Sequence, residues 1–90
     1  MFHKLRGEVV TRTVYLDEVA LSPHKSQRVK NHSPDGFAWG YGGSGPAQLA
    51  LAVMLELYPQ RIALEKYQQF KFNTIAILPM KEDFEIEFEA

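Results

Sequence analysis

Apolar and polar positions alternate with period two toward both ends of the chain, and a helical period takes over between them. Glu8-Val9-Val10-Thr11-Arg12-Thr13-Val14-Tyr15-Leu16 is rich in β-branched residues, which suit a pleated, half-buried surface. Asp17-Glu18 separates Tyr15-Leu16 from Val19-Ala20-Leu21 and predicts a tight turn into a short strand. Ser22-Pro23 ends that strand, because proline withholds a ladder donor. Phe84-Glu85-Ile86-Glu87-Phe88-Glu89 alternates strictly, as a strand with one buried face does. Lys4 and Arg6 alternate in the same way on the first strand. Their charges against the glutamates predict that the first and last strands are paired.

Two helices are expected in between. Pro46 suits the first position of a helix, where its missing N–H costs nothing, and Ala47 to Leu57 follows. Tyr58-Pro59 breaks it. A second helix is predicted over residues 60–77, with Ala63, Tyr67, Phe70, Thr74 and Ile77 on one face. Leu78-Pro79 ends it, since the residue before proline avoids helical angles. Between Ala47 and Leu57 only Gln48 and Glu56 are polar, a narrower stripe than a surface helix shows. That helix is therefore covered on nearly all sides, by the sheet and second helix or by another copy of the chain. The second possibility, together with the small core available, gives a homodimer as one expectation.

Residues 22–45 read as one long connection, basic and then glycine-aromatic. Its first half carries Lys25, Arg28 and Lys30 with His24 and His32, and no acid falls between Glu18 and Asp35. Its second half, Gly36-Phe37-Ala38-Trp39-Gly40-Tyr41-Gly42-Gly43-Ser44-Gly45, holds five of the six glycines. Long irregular connections inside small domains are uncommon and are often functional.

At 90 residues the chain is expected to be a single domain over residues 1–90. A composition 46% hydrophobic and 23% charged is that of a globular protein rather than a disordered or fibrous one. With no cysteine there is no disulfide framework and no thiolate chemistry. The formal net charge of −1 gives no overall basic field toward nucleic acid or anionic lipid. Met1 to Arg6 has no secretory pattern, and the longest apolar run, Leu49–Leu55, is far short of a membrane span. A cytoplasmic location without membrane contact is the expectation. No internal repeat is present.

The candidate chemistry lies in the connection. Gly40-Tyr41-Gly42-Gly43-Ser44-Gly45 fits G-x-G-x-x-G ahead of a helix, but the βαβ unit and the following acidic residue of a dinucleotide site are missing. No Lys-Ser/Thr pair follows the glycines, which excludes a Walker-type loop, and Pro46 stands where a nucleophile elbow needs its last glycine. A looser anion site remains, at the helix start around Gly43 and Ser44 with Lys25, Arg28, Lys30 or His32 assisting; the competing reading is that the glycines serve packing. Phe37, Trp39 and Tyr41 alternate onto one face. Exposed, all three would stack bases of single-stranded nucleic acid; buried, they supply the core that a small chain needs, with Tyr41 the one left partly exposed. Burial is the expectation. His3, His24 and His32 show no metal-ligand spacing, so neither a metal nor another cofactor is expected. His32, Ser33 and Asp35 contain the residue types of a triad, although neighbours in sequence rarely form one.

The segment from Asn31-His32-Ser33-Pro34-Asp35-Gly36-Phe37-Ala38-Trp39-Gly40-Tyr41 through Gly42-Gly43-Ser44-Gly45-Pro46-Ala47-Gln48-Leu49-Ala50-Leu51-Ala52 resembles the signature of a small uncharacterised family. Its members are short prokaryotic proteins, some on phage, plasmid or other mobile elements. Tyr67-Gln68-Gln69-Phe70-Lys71-Phe72, running on to Leu78-Pro79, resembles the family's second-helix pattern. The resemblance supports the fold outline and implies no reaction, ligand or catalytic residue.

The sequence thus predicts an α+β domain. A small, mostly antiparallel sheet from residues 1–21 and 83–88 packs against an αα-hairpin of residues 46–58 and 60–77. The expected function is non-enzymatic binding or regulation through protein contacts. The alternatives are a nucleic-acid or phosphate binder using the basic loop and the helix start, and a small hydrolase or transferase using His32 and Asp35.

Overall fold

A computed structural model describes residues 1–90. The chain runs β1 (Phe2–Glu8), β2 (Thr13–Leu16), β3 (Val19–Ala20), α1 (Pro23–Val29), α2 (Ser44–Leu57), α3 (Gln60–Phe70), a π-helical turn (Lys71–Ile75) and β4 (Phe84–Glu89). The strands form one antiparallel sheet in the order β3-β2-β1-β4. The architecture is α+β, as the sequence predicts.

The expected pairing of first and last strands is present, with Lys4 opposite Glu87 and Arg6 opposite Glu85. Period two then sorts the side chains. Leu5, Val14, Leu16 and Phe84 face the helices and are buried, while Lys4, Arg6, Glu85 and Glu87 line the outer face. The Asp17-Glu18 turn takes positive φ at both residues (50° and 67°), the geometry of a two-residue hairpin turn. Neither residue is glycine, and local bonds hold the turn. Asp17 accepts from the Lys4 backbone N–H at 2.9 Å and contacts His3 Nδ1 at 2.7 Å, and Glu18 lies 3.2 Å from Lys4 Nζ.

Helix α2 is the centre of the domain. Gly45 through Met54 is buried without a break, beneath α1, α3, the π-helical turn and the sheet. Cover from within one chain is therefore enough to explain its narrow polar stripe. Pro46 sits in its first turn, two residues later than expected, because the helix begins at Ser44 with Gly43 as its cap.

Two expectations fail. The basic half of the connection is not irregular: residues 23–29 form α1. Ser22 Oγ accepts from the His24 N–H at 3.3 Å and Pro23 fills the first helical position. The Ser-Pro pair that ends a strand also opens a helix. The second helix, predicted to run evenly over 60–77, gives way to the π-helical turn at Lys71. One added residue per turn shifts the inward face from Phe70, Thr74 and Ile77 to Lys71, Ile75 and Leu78. Ile77 is 77% exposed as a result.

Candidate functional site

The glycine-aromatic segment is built into the core. Phe37 is buried, and Trp39 is completely so. The Trp39 indole meets Phe84 edge-on at 4.8 Å, and its Nε1–H is shared between the carbonyls of Pro79 (3.0 Å) and Glu82 (3.2 Å). Trp39 is buried as expected, which removes the alternative of a base-stacking platform at this residue, since no base can reach the ring. Tyr41 remains 44% exposed. Gly40 allows the fit: its φ is +87°, its N–H donates to Ile75 O at 3.0 Å, and an added Cβ would lie 2.4 Å from Met80 Cα.

Behind the segment, Gln48 forms a buried hub. Its Oε1 accepts from the backbone N–H groups of His32 (2.7 Å) and Ser33 (2.9 Å). Its Nε2 donates to Ser26 Oγ (2.8 Å) and Lys30 O (3.2 Å). One side chain on α2 thereby fixes α1 and the approach to the glycines. The His32 ring turns the other way, with Nε2 2.8 Å from the Tyr67 hydroxyl. Burial, then the charges of Lys30 and Lys71, push the His32 imidazole below its ordinary range. Lys71 is only 7% exposed; its Nζ donates to Gly42 O at 3.4 Å and lies 4.1 Å from the Phe72 ring centroid.

The residues singled out from sequence are scattered. Tyr41 and Ser44 line one concavity of about 330 Å³ with Arg12, Ser33 and Asp35 at the start of α2. Gly43 caps α2, and its carbonyl accepts from the Ala47 N–H. Lys25 is paired with Glu56 of α2, beside a different cavity of about 160 Å³. Arg28 and Lys30 are exposed on α1 and its cap. His32 does not join Ser33 and Asp35 as a triad: its imidazole goes to Tyr67, while Ser33 and Asp35 both line the concavity. Sequence reasoning passed over Tyr67 as a partner and Lys71 as a buried cation. Gln48 did carry a signal, as one amide in an otherwise apolar helical stretch.

The backbone of β4 has a different character. The strand lies at the edge of the sheet and pairs only with β1. Its glutamates Glu85, Glu87 and Glu89 are exposed on the outer face, and Ile86 and Phe88 are half-buried on the inner one. No helix of the chain is long and apolar enough to cross a membrane.

A family of unknown function, DUF6166, matches residues 3–89, and the chain belongs to it. No curated protein and no solved structure matches the chain.

Proposed function

We propose that this member of the DUF6166 family is a non-enzymatic binding module that acts through contact with another protein. The observation that carries this reading is the β4 edge, where a six-residue strand leaves one side of its backbone without a partner. The engagement of the His32 imidazole by Tyr67, rather than by Ser33 or Asp35, supports a role without catalysis. The absence of cysteine fits a reducing, cytoplasmic setting. The resemblance of the central motif to short prokaryotic proteins on mobile elements fits a module of that origin.

A photo-crosslinking residue at position 87, compared with one at position 28, tests the reading in the native host. A protein captured from position 87 and absent from position 28 is the expected result. Crosslinks to nucleic acid, or equal capture from both positions, would sink it.

A phosphate or nucleic-acid ligand is the second reading, on the concavity that Arg12 and Ser44 share at the start of α2. Asp35 in the same concavity opposes it, as does the pairing of Lys25 with Glu56. Binding of single-stranded DNA that weakens steeply with salt would bring this reading forward.

A further inference from the structure

Alternation fixes where the β4 backbone points. Ala90 N–H donates to Met1 O at 3.0 Å, and Asp17 N–H donates to Lys4 O at 2.8 Å. Odd residues of β1 therefore bond toward β4 and even residues toward β2. In register, Phe84, Ile86 and Phe88 exchange bonds with β1. Glu85, Glu87 and Glu89 turn their N–H and C=O groups away from the sheet, and no loop or helix backbone meets them.

The charge beside this edge is one-sided. Lys4 Nζ lies 3.2 Å from Glu18 and 3.8 Å from Glu85. Arg6 lies 3.4 Å from both Glu8 and Glu18, with its guanidinium 4.1 Å from the Tyr15 ring centroid. Both cations of the outer face are thus taken up by Glu8, Glu18 and Glu85, and Glu87 and Glu89 form no ion pair. On the inner face, Phe88 packs against Phe70 at 5.0 Å, and a groove of about 210 Å³ opens beside them, lined also by Met54 and Tyr58 and by the polar Lys66 and Asn73.

We infer that the β4 edge accepts an extended segment of another protein, alternately basic and apolar, as a fifth strand of the sheet. The inference rests on the protein-contact reading above and names the partner's chemistry. Backbone groups of the incoming strand bond to those of Glu85, Glu87 and Glu89. Its basic side chains stand opposite these glutamates on the outer face, where facing charges of opposite sign stabilise a strand pair. Its apolar side chains extend the inner face over Ile86 and Phe88. A second copy fits badly: pairing β4 with itself, apolar residues inward, sets glutamate against glutamate in every register. The glutamates that bar self-pairing admit a basic partner, and neither proline nor a bulge interrupts the strand.

The test uses the full chain and fluorophore-labelled hexapeptides: alternating Lys and Val, the same composition in two blocks, alternating Glu and Val, and the first peptide N-methylated at alternate residues. The alternating basic peptide should bind at least about tenfold tighter than the block and N-methylated peptides at equal salt, and should shift the amides of Glu85, Glu87 and Glu89. Glu89→Lys should weaken it about tenfold, and Glu87→Gln about threefold. Equal binding of the block peptide overturns the inference in favour of diffuse charge attraction. An acidic alternating peptide that binds this edge as well overturns the basic partner and leaves the protein-contact reading standing. If no peptide shifts these amides, the edge is not the contact, and the crosslinking comparison alone decides the broader reading.

Discussion

Residues 36–45 and strand β4 both present large apolar groups in alternation, and the chain spends them differently. In the first segment the rings turn inward and two donors find internal partners: the Trp39 Nε1–H reaches two carbonyls and the Gly40 N–H reaches Ile75 O. In β4 the apolar side chains are anchored at Phe84 and become more open toward Phe88, while the outward backbone goes unanswered. The two regions meet where Trp39 stands edge-on to Phe84. Aromatic density in residues 36–45 therefore goes mainly to the core, through Phe37 and Trp39. What leaves β4 open is that the outward backbone groups of Glu85, Glu87 and Glu89 have no partner.

Trp39→Ala tests the buried segment most severely. It removes the largest fully buried side chain and breaks the contact with Phe84. A loss of about 3–5 kcal/mol is expected in urea unfolding. That is a large part of a small domain's stability, so Trp39→Phe, which keeps most of the volume, serves as the milder companion. A variant with an unchanged midpoint would place the ring outside the core and break the comparison. Gly40→Ala should come next, at about 1–3 kcal/mol, since the new Cβ meets the Met80 backbone at a positive φ. Its effect should appear in the same denaturation curve.

The strands were the most legible part of the sequence, because period two reports a sheet with one solvated face directly. Even the partner of β4 could be read, from Lys4 and Arg6 against the glutamates. What could not be read depends on contacts distant along the chain. Helix α1 has only seven residues and one buried side chain, Ser26, so no periodicity betrays it. It is held by its Ser22 cap and by Gln48, whose amide spans 22 residues to reach Ser26. The π-helical turn leaves no mark in an apolar pattern that fits a regular helix equally well. Of the candidate site, the burial of Trp39 and the partial exposure of Tyr41 were legible, because a short chain needs its large rings inside. The open side of β4 was not, since an edge is a property of the whole sheet.

A smaller effect depends on pH and reports on the approach to residues 36–45. The His32 imidazole is pushed below its ordinary 6.5, chiefly by burial and then by Lys30 and Lys71. The folded chain therefore holds it neutral where the unfolded chain begins to protonate it. Its contribution is fully present above the unfolded value and is lost as pH falls through the folded one. The melting temperature should drop between about pH 7 and pH 5, and His32→Gln should flatten that slope. Asp17 and Glu18, both held below the ordinary carboxylate range by their bonds to His3 and Lys4, act in a separate and more acidic window. A slope that survives in His32→Gln would assign the titration to another group.

The smallest expected change is on the β4 side, and there the smallness is the point. Glu87 is exposed and forms no ion pair, and its N–H and C=O point away from β1. Lys4 stands across from it in register, yet the ammonium lies with Glu18 and Glu85 instead. Glu87→Gln therefore removes a charge that the fold does not use, and should shift stability by less than about 0.5 kcal/mol. A loss above about 1 kcal/mol would mean that the carboxylate holds β1 and β4 together through Lys4, and the contrast with the buried segment would shrink. A neutral result in urea makes the same variant a clean probe of the edge: any change in peptide affinity is then a property of the surface rather than of the fold.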